Sequence, residues 1–188
     1  VKADFRLVDY QSEGEGATFW AVIGGRTVEV ALQAPGRHIA ENAVAVIAAC
    51  YLAGADLDKV VAAFSSVSAA KGRGQRTRLR TGDGTFTLID ESYNANPASM
   101  RAAIALLDSA KAGEGGRKIA VLGDMLEMGD YSAEVHAGLS APLKESGVTD
   151  IWLAGPDMAH LRDAMGSDKE AVYFGTADEL AAYALDHV

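Results

Sequence analysis

The chain has 188 residues, enough for one ordinary domain or two small ones. It is 49% hydrophobic and 23% charged, so it can bury a core and is not a disordered tail. Its formal net charge of -9 argues against a general nucleic-acid binder, which would carry a basic face, but not against a nucleotide held by a few local donors.

Residues 1 to 34 alternate in polarity. Phe5, Leu7 and Tyr10 predict a strand. Phe19–Ile23 and Thr27–Leu32 flank Gly24-Gly25, a dipeptide that permits the positive φ angles of a two-residue hairpin. A small antiparallel sheet is therefore expected first. The run from Asn42 to Ala53 is Ala, Val, Ile and Leu with almost no charge, and predicts a buried helix ending at Gly54. Within it, Cys50 reads as a small buried hydrophobe, and a single cysteine excludes an internal disulfide. Asp56 is placed to cap a short second helix reaching about Phe64. "SSVSAAKGRGQR", residues 65–76, is small, polar and glycine-punctuated, and predicts a linker or domain boundary.

From residue 85 the rhythm changes. Strands are expected at Thr85–Asp90, Lys118–Leu122, Ile151–Ala154 and Ala171–Phe174, with helices at about 97–111, 132–146, 157–165 and 177–187. Such alternation gives a mostly parallel, Rossmann-like sheet covered by helices. Two domains are thus expected, 1–70 and 71–188. No apolar run approaches the ~18 residues of a membrane helix, and "VKADFRLVDY" lacks a signal-peptide layout. The expectation is a soluble, cytoplasmic protein. The missing initiator methionine and a chain that closes on a helix suggest a piece of something longer.

In open parallel sheets, ligands gather beyond the carboxyl ends of the strands. Two polar loops occupy such places. In "LIDESYNANPASM", residues 88–100, Asn96 and Pro97 have a structural explanation as the cap and first residue of a helix. Asp90, Tyr93 and Asn94 are not so explained; an acid at a strand end is able to accept ribose hydroxyls. In "VLGDMLEMG", residues 121–129, Asp124 and Glu127 fit either a metal or amine site or a helix cap and a solvated charge. With His136 they match no standard metal spacing. His38 and Asn42, one turn apart on a helix, share a face that is either structural or suited to a planar base edge. Arg73, Arg76, Arg78 and Arg80 form a basic stretch from which one guanidinium fork is able to reach a phosphate. No G-x-x-x-x-G-K-[ST] loop, strand-following G-x-G-x-x-G or G-x-S-x-G elbow occurs, so any ATP phosphate cradle must come from another segment.

Together, "APGRHIAENAVAVIAA", "KGR" at 71–73, "IDESYNANPASMRAAI" and "IAVLGDMLEMG", in this order, resemble the Mur ligase family over nearly the whole chain. The second pair of strings resembles most the branch that handles D-alanyl-D-alanine. The resemblance implies a three-domain, ATP- and Mg2+-dependent ligase of cell-wall synthesis. This chain would supply the end of the central domain and most of a Rossmann-like C-terminal domain. The phosphate loop and the magnesium ligands would lie outside it. The implied partners are UDP-N-acetylmuramoyl-tripeptide and D-alanyl-D-alanine, with no nucleic acid and no membrane insertion.

The resemblance also assigns residues. His38 and Asn42 would lie near the adenine, Ile39 replacing an asparagine of the family pattern. Arg73 would reach the terminal phosphate as the catalytic cation, and Asp90 would hold the ribose. Tyr93 and Asn94 would border the nucleotide. Asn94, Asn96, Asp124 and Glu127 would face the substrate. A neighbouring Mur-type or folylpolyglutamate-type amide ligase, or a non-catalytic nucleotide-binding module, remains the alternative at this stage.

Overall fold

The computed structural model describes residues 3–13, 16–67, 71–82, 84–167 and 169–188. The chain divides into two compact units, Val1–Leu79 with Thr85–Glu91, and Arg80–Gly84 with Ser92–Val188.

The first unit opens with the antiparallel sheet β1 (Phe5–Glu13), β2 (Gly16–Ile23) and β3 (Arg26–Leu32). Gly24 and Gly25 turn the chain with φ of 55° and 86°, the positive pair a tight hairpin requires. Alternation then puts Phe19, Ala21 and Ile23 on one face, in register with Val30, Val28 and Arg26. Helix α1 (Arg37–Leu52) buries Ala40, Ala43, Val44 and Ile47 against that face. The expected all-round burial of this helix is not found: Val46 is 53% and Leu52 71% exposed, because the three-stranded sheet covers one side only. Cys50 is accordingly half-exposed rather than part of the core. Helix α2 (Leu57–Ala63) starts at Asp56, whose carboxylate accepts hydrogen bonds from the amides of Asp58 and Lys59.

The proposed linker falls partly on residues 68–70, outside the described residues. Its end differs from expectation. Gln75–Thr81 forms a strand, β4, which pairs with β5 (Gly84–Asp90). Two residues separate them, a connection that only an antiparallel pair permits. Among the described residues, β5 is therefore not the first strand of the parallel sheet. The Arg–Thr–Arg–Leu–Arg alternation of β4 was hidden by its charge, although long polar side chains suit an exposed hairpin.

In the second unit, β6 (Ile119–Gly123), β7 (Asp150–Ala154) and β8 (Ala171–Phe174) form a parallel sheet in that order. Val121 aligns with Trp152, and Leu153 with Tyr173. Leu122, Ile151 and Leu153 share a core with helix α3 (Pro97–Ser109) through Ile104 and Met100. Trp152 and Phe174 point to the other face, where Leu180 and Tyr183 of α7 (Ala177–His187) cover them. The helix expected at 132–146 is two short ones, α4 (Ser132–Ala137) and α5 (Ser140–Glu145). Pro142 has no N–H for the carbonyl of Gly138, four residues earlier, so the helix breaks there. Helix α6 (Met158–Met165) follows β7.

Candidate functional site

In the first unit the residues of interest gather at the end of β5. The amide of Gly74 donates to the Asp90 carbonyl at 2.8 Å, fixing that end of the hairpin. The next residue, Glu91, was passed over in the sequence although it adjoins Asp90. Its carboxylate is three-quarters buried, and its Oε1 has no hydrogen-bond partner. Buried acceptors without partners are rare in folded proteins and call for an explanation. Burial raises the Glu91 carboxyl above its ordinary value, Asp90 adds to this, and the Arg73 guanidinium partly opposes it. Glu91 Oε1 lies 4.0 Å from His38 Nε2, on the first turn of α1. Burial pushes His38 below its ordinary value, with Glu41 opposing. His38, Arg73, Asp90 and Glu91 thus share one neighbourhood. Asn42, a turn further along α1, is exposed.

In the second unit the loop before α3 is built by its own side chains. Asn94 accepts from the amide of Ala95 at 2.9 Å. Asn96 caps α3, accepting from Ala98 and Ser99, while Ser99 Oγ accepts from the Asn96 amide. This reciprocal capping satisfies amide donors that the first turn leaves open. Tyr93 is 69% exposed beside it.

The loop after β6 is held from within. Met125 is fully buried, and its amide donates to His136 Nε2 at 2.9 Å. The His136 imidazole is itself fully buried. Since Nε2 accepts, Nδ1 carries the proton and donates to the Ser132 carbonyl at 2.7 Å. The Ser132 hydroxyl donates to Asp157 at 2.7 Å. Asp124 Oδ1 accepts from the Met158 amide at 2.9 Å, satisfying a free donor at the start of α6. The Asp124 carboxylate rests on Gly155, where a Cβ would lie 2.4 Å away and φ is 117°. Glu127, in contrast, is exposed and takes the left-handed backbone, φ 64°, uncommon for a non-glycine residue. Asp124 and Glu127 therefore sit in one clamped loop, the first turned inward and the second outward. His136, weighed in the sequence only as a metal ligand, is the clamp. Among the described residues, no three His, Cys, Asp or Glu side chains are grouped to hold a metal ion.

A parallel sheet with helices on both faces and rigid polar loops at strand ends places the second unit among open α/β domains. The chain belongs to the Mur ligase family: residues 72–188 match the family's "Mur ligase, glutamate ligase domain". The UDP-N-acetylmuramoyl-tripeptide--D-alanyl-D-alanine ligase of Escherichia coli is 31% identical over 88% of this chain, and that of Bacillus subtilis 35% over 81%. The chain spans 35% and 32% of those proteins' lengths, about a third of each. The crystal structure of MurF from Acinetobacter baumannii superposes with a TM-score of 0.78 at 28% identity, covering 97% of this chain and 38% of that one.

Proposed function

We propose that this chain is the nucleotide-closing part of an ATP-dependent ligase that joins D-alanyl-D-alanine to UDP-N-acetylmuramoyl-tripeptide in peptidoglycan synthesis. Residues 1–70 would be the end of its central ATP-binding domain and 71–188 its C-terminal domain. The observation that carries this reading is the similarity to ligases named for that reaction, continuous across both polar loops.

In the proposed reaction, the peptide carboxylate takes the terminal phosphoryl group of ATP. The amine of D-alanyl-D-alanine then attacks the acyl phosphate, forming the amide and releasing phosphate. Such transfers depend on positioning and charge neutralisation. Arg73, beside the Asp90–Glu91 pair, supplies a cation for the terminal phosphate. His38 and Asn42 flank the base, Asp90 holds the ribose, and Tyr93 and Asn94 border the nucleotide. Asn94, Asn96, Asp124 and Glu127 are the substrate-side residues. Of these, exposed Glu127 is the best placed to meet an ammonium group. Asp124 acts through the loop it anchors. Magnesium would be held by ATP and by segments outside this chain, and no step here runs through a metal. The nucleotide-linked substrate suits a cytoplasmic enzyme.

The test is a substrate panel on the longer protein that contains these residues. ATP-dependent consumption of D-alanyl-D-alanine, with single amino acids and glutamate refused, is the expected result. Preference for a single amino acid would replace this reading with that of a neighbouring ligase.

A further inference from the structure

We propose that Glu91 is a positioning residue for His38: the two side chains form a proton-sharing pair that fixes the imidazole at the start of α1. The acceptor Glu91 Oε1 is buried without a hydrogen-bond partner and faces His38 Nε2 at 4.0 Å, slightly beyond a made hydrogen bond. Both side chains are confined. A Cβ on Gly74 would lie 3.1 Å from Glu91 Oε1, and one on Gly36 would lie 2.9 Å from His38 Cε1. Each glycine thus leaves open the space that the carboxylate or the ring occupies. An orphaned acceptor opposite an imidazole nitrogen is satisfied by one proton placed between them once the two close to hydrogen-bond distance. That proton sits on Nε2 when Glu91 is ionised and on Oε1 when His38 is neutral at Nε2.

Burial favours the uncharged form of each group. Among the described residues, charged groups near the pair include Glu41 on α1, itself paired with Arg37, Asp90 on β5 and Arg73 before β4. Arg73 opposes the rise at Glu91, and Glu41 opposes the fall at His38. The family resemblance implies a place for His38 near the adenine without a device to orient it; the pair supplies that device. This consequence rests on the nucleotide reading above, whereas the pair itself does not.

The experiment is an NMR titration of the 188-residue chain without nucleotide. The His38 ring signal is assigned by its loss in His38→Gln. In the wild type, His38 is expected to show its own midpoint plus an acid-side inflection from Glu91. In Glu91→Gln the inflection disappears and the midpoint moves to lower pH, because the carboxylate no longer supports the imidazolium. A single-site His38 curve in the wild type overturns the proposal, and does so even if Glu91→Gln fails to fold. An unchanged midpoint in a folded Glu91→Gln protein overturns it as well. Since no nucleotide is present, either failure leaves the ligase reading standing, and a failed substrate panel leaves the pair standing.

Discussion

Asn96 and Glu91 lie five residues apart and act on stability in opposite directions. Asn96 satisfies two amides of α3, so Asn96→Ala should cost about 0.5–2 kcal/mol, read as a lower urea midpoint at unchanged slope. Glu91 is a largely buried acid whose pKa is raised in the folded state. Such a group contributes its stability below the ordinary glutamate value of 4.5 and loses it as pH rises through the raised folded value. Glutamine cannot ionise and loses nothing. Glu91→Gln should therefore gain thermal stability relative to the wild type between acid and neutral pH. Melting curves across that range check it, and a constant difference would disprove it. A residue that costs stability where it stands is more readily explained by function than by folding. Asp90 is a separate case: its carbonyl, a main-chain group that substitution leaves in place, accepts from the Gly74 amide at the hairpin's end. Asp90→Ala in the longer protein should raise the Michaelis constant for ATP with little change in melting temperature. An unchanged constant would sink the ribose assignment.

At the scale of elements, the loop after β6 behaves as one body because three contacts hold it: Met125 to His136, Ser132 to Asp157, and Asp124 to Met158. Gly155 makes the third possible. In Gly155→Ala the new methyl would meet the Asp124 carboxylate and sit at a φ that alanine resists. The loss should be on the order of 2 kcal/mol, with faster hydrogen exchange at the Met158 amide. Retained slow exchange there would show that Asp124 does not anchor α6. The break between α4 and α5 belongs to this scale too. It is legible in Pro142, although Val135, Leu139 and Leu143 recur at the four-residue spacing of one continuous helix. Periodicity reports which residues face the core and says nothing of a missing amide.

For the whole molecule, the ligase reading predicts that the 188-residue chain alone neither hydrolyses ATP nor forms the amide, since it carries no phosphate loop. Phosphate release and product formation assays check this; ATP-dependent ligation by the purified chain would refute it. The chain by itself determined the early antiparallel sheet, both capped helices of the first unit, the three strands from Ile119 to Phe174 and the family. Each rests on signals local in sequence: period-two or period-3.6 burial, Gly24-Gly25, Asp56 and Asn96 caps, and contiguous loop strings. The tertiary structure alone decided that β5 pairs with β4, that only one face of α1 is buried, that His136 clamps a loop rather than binding a metal, and that Glu91 meets His38. The physical reason is the same in each case. Strand pairing, burial and proton sharing depend on which groups the fold brings together, and no local pattern of residue types encodes that distance.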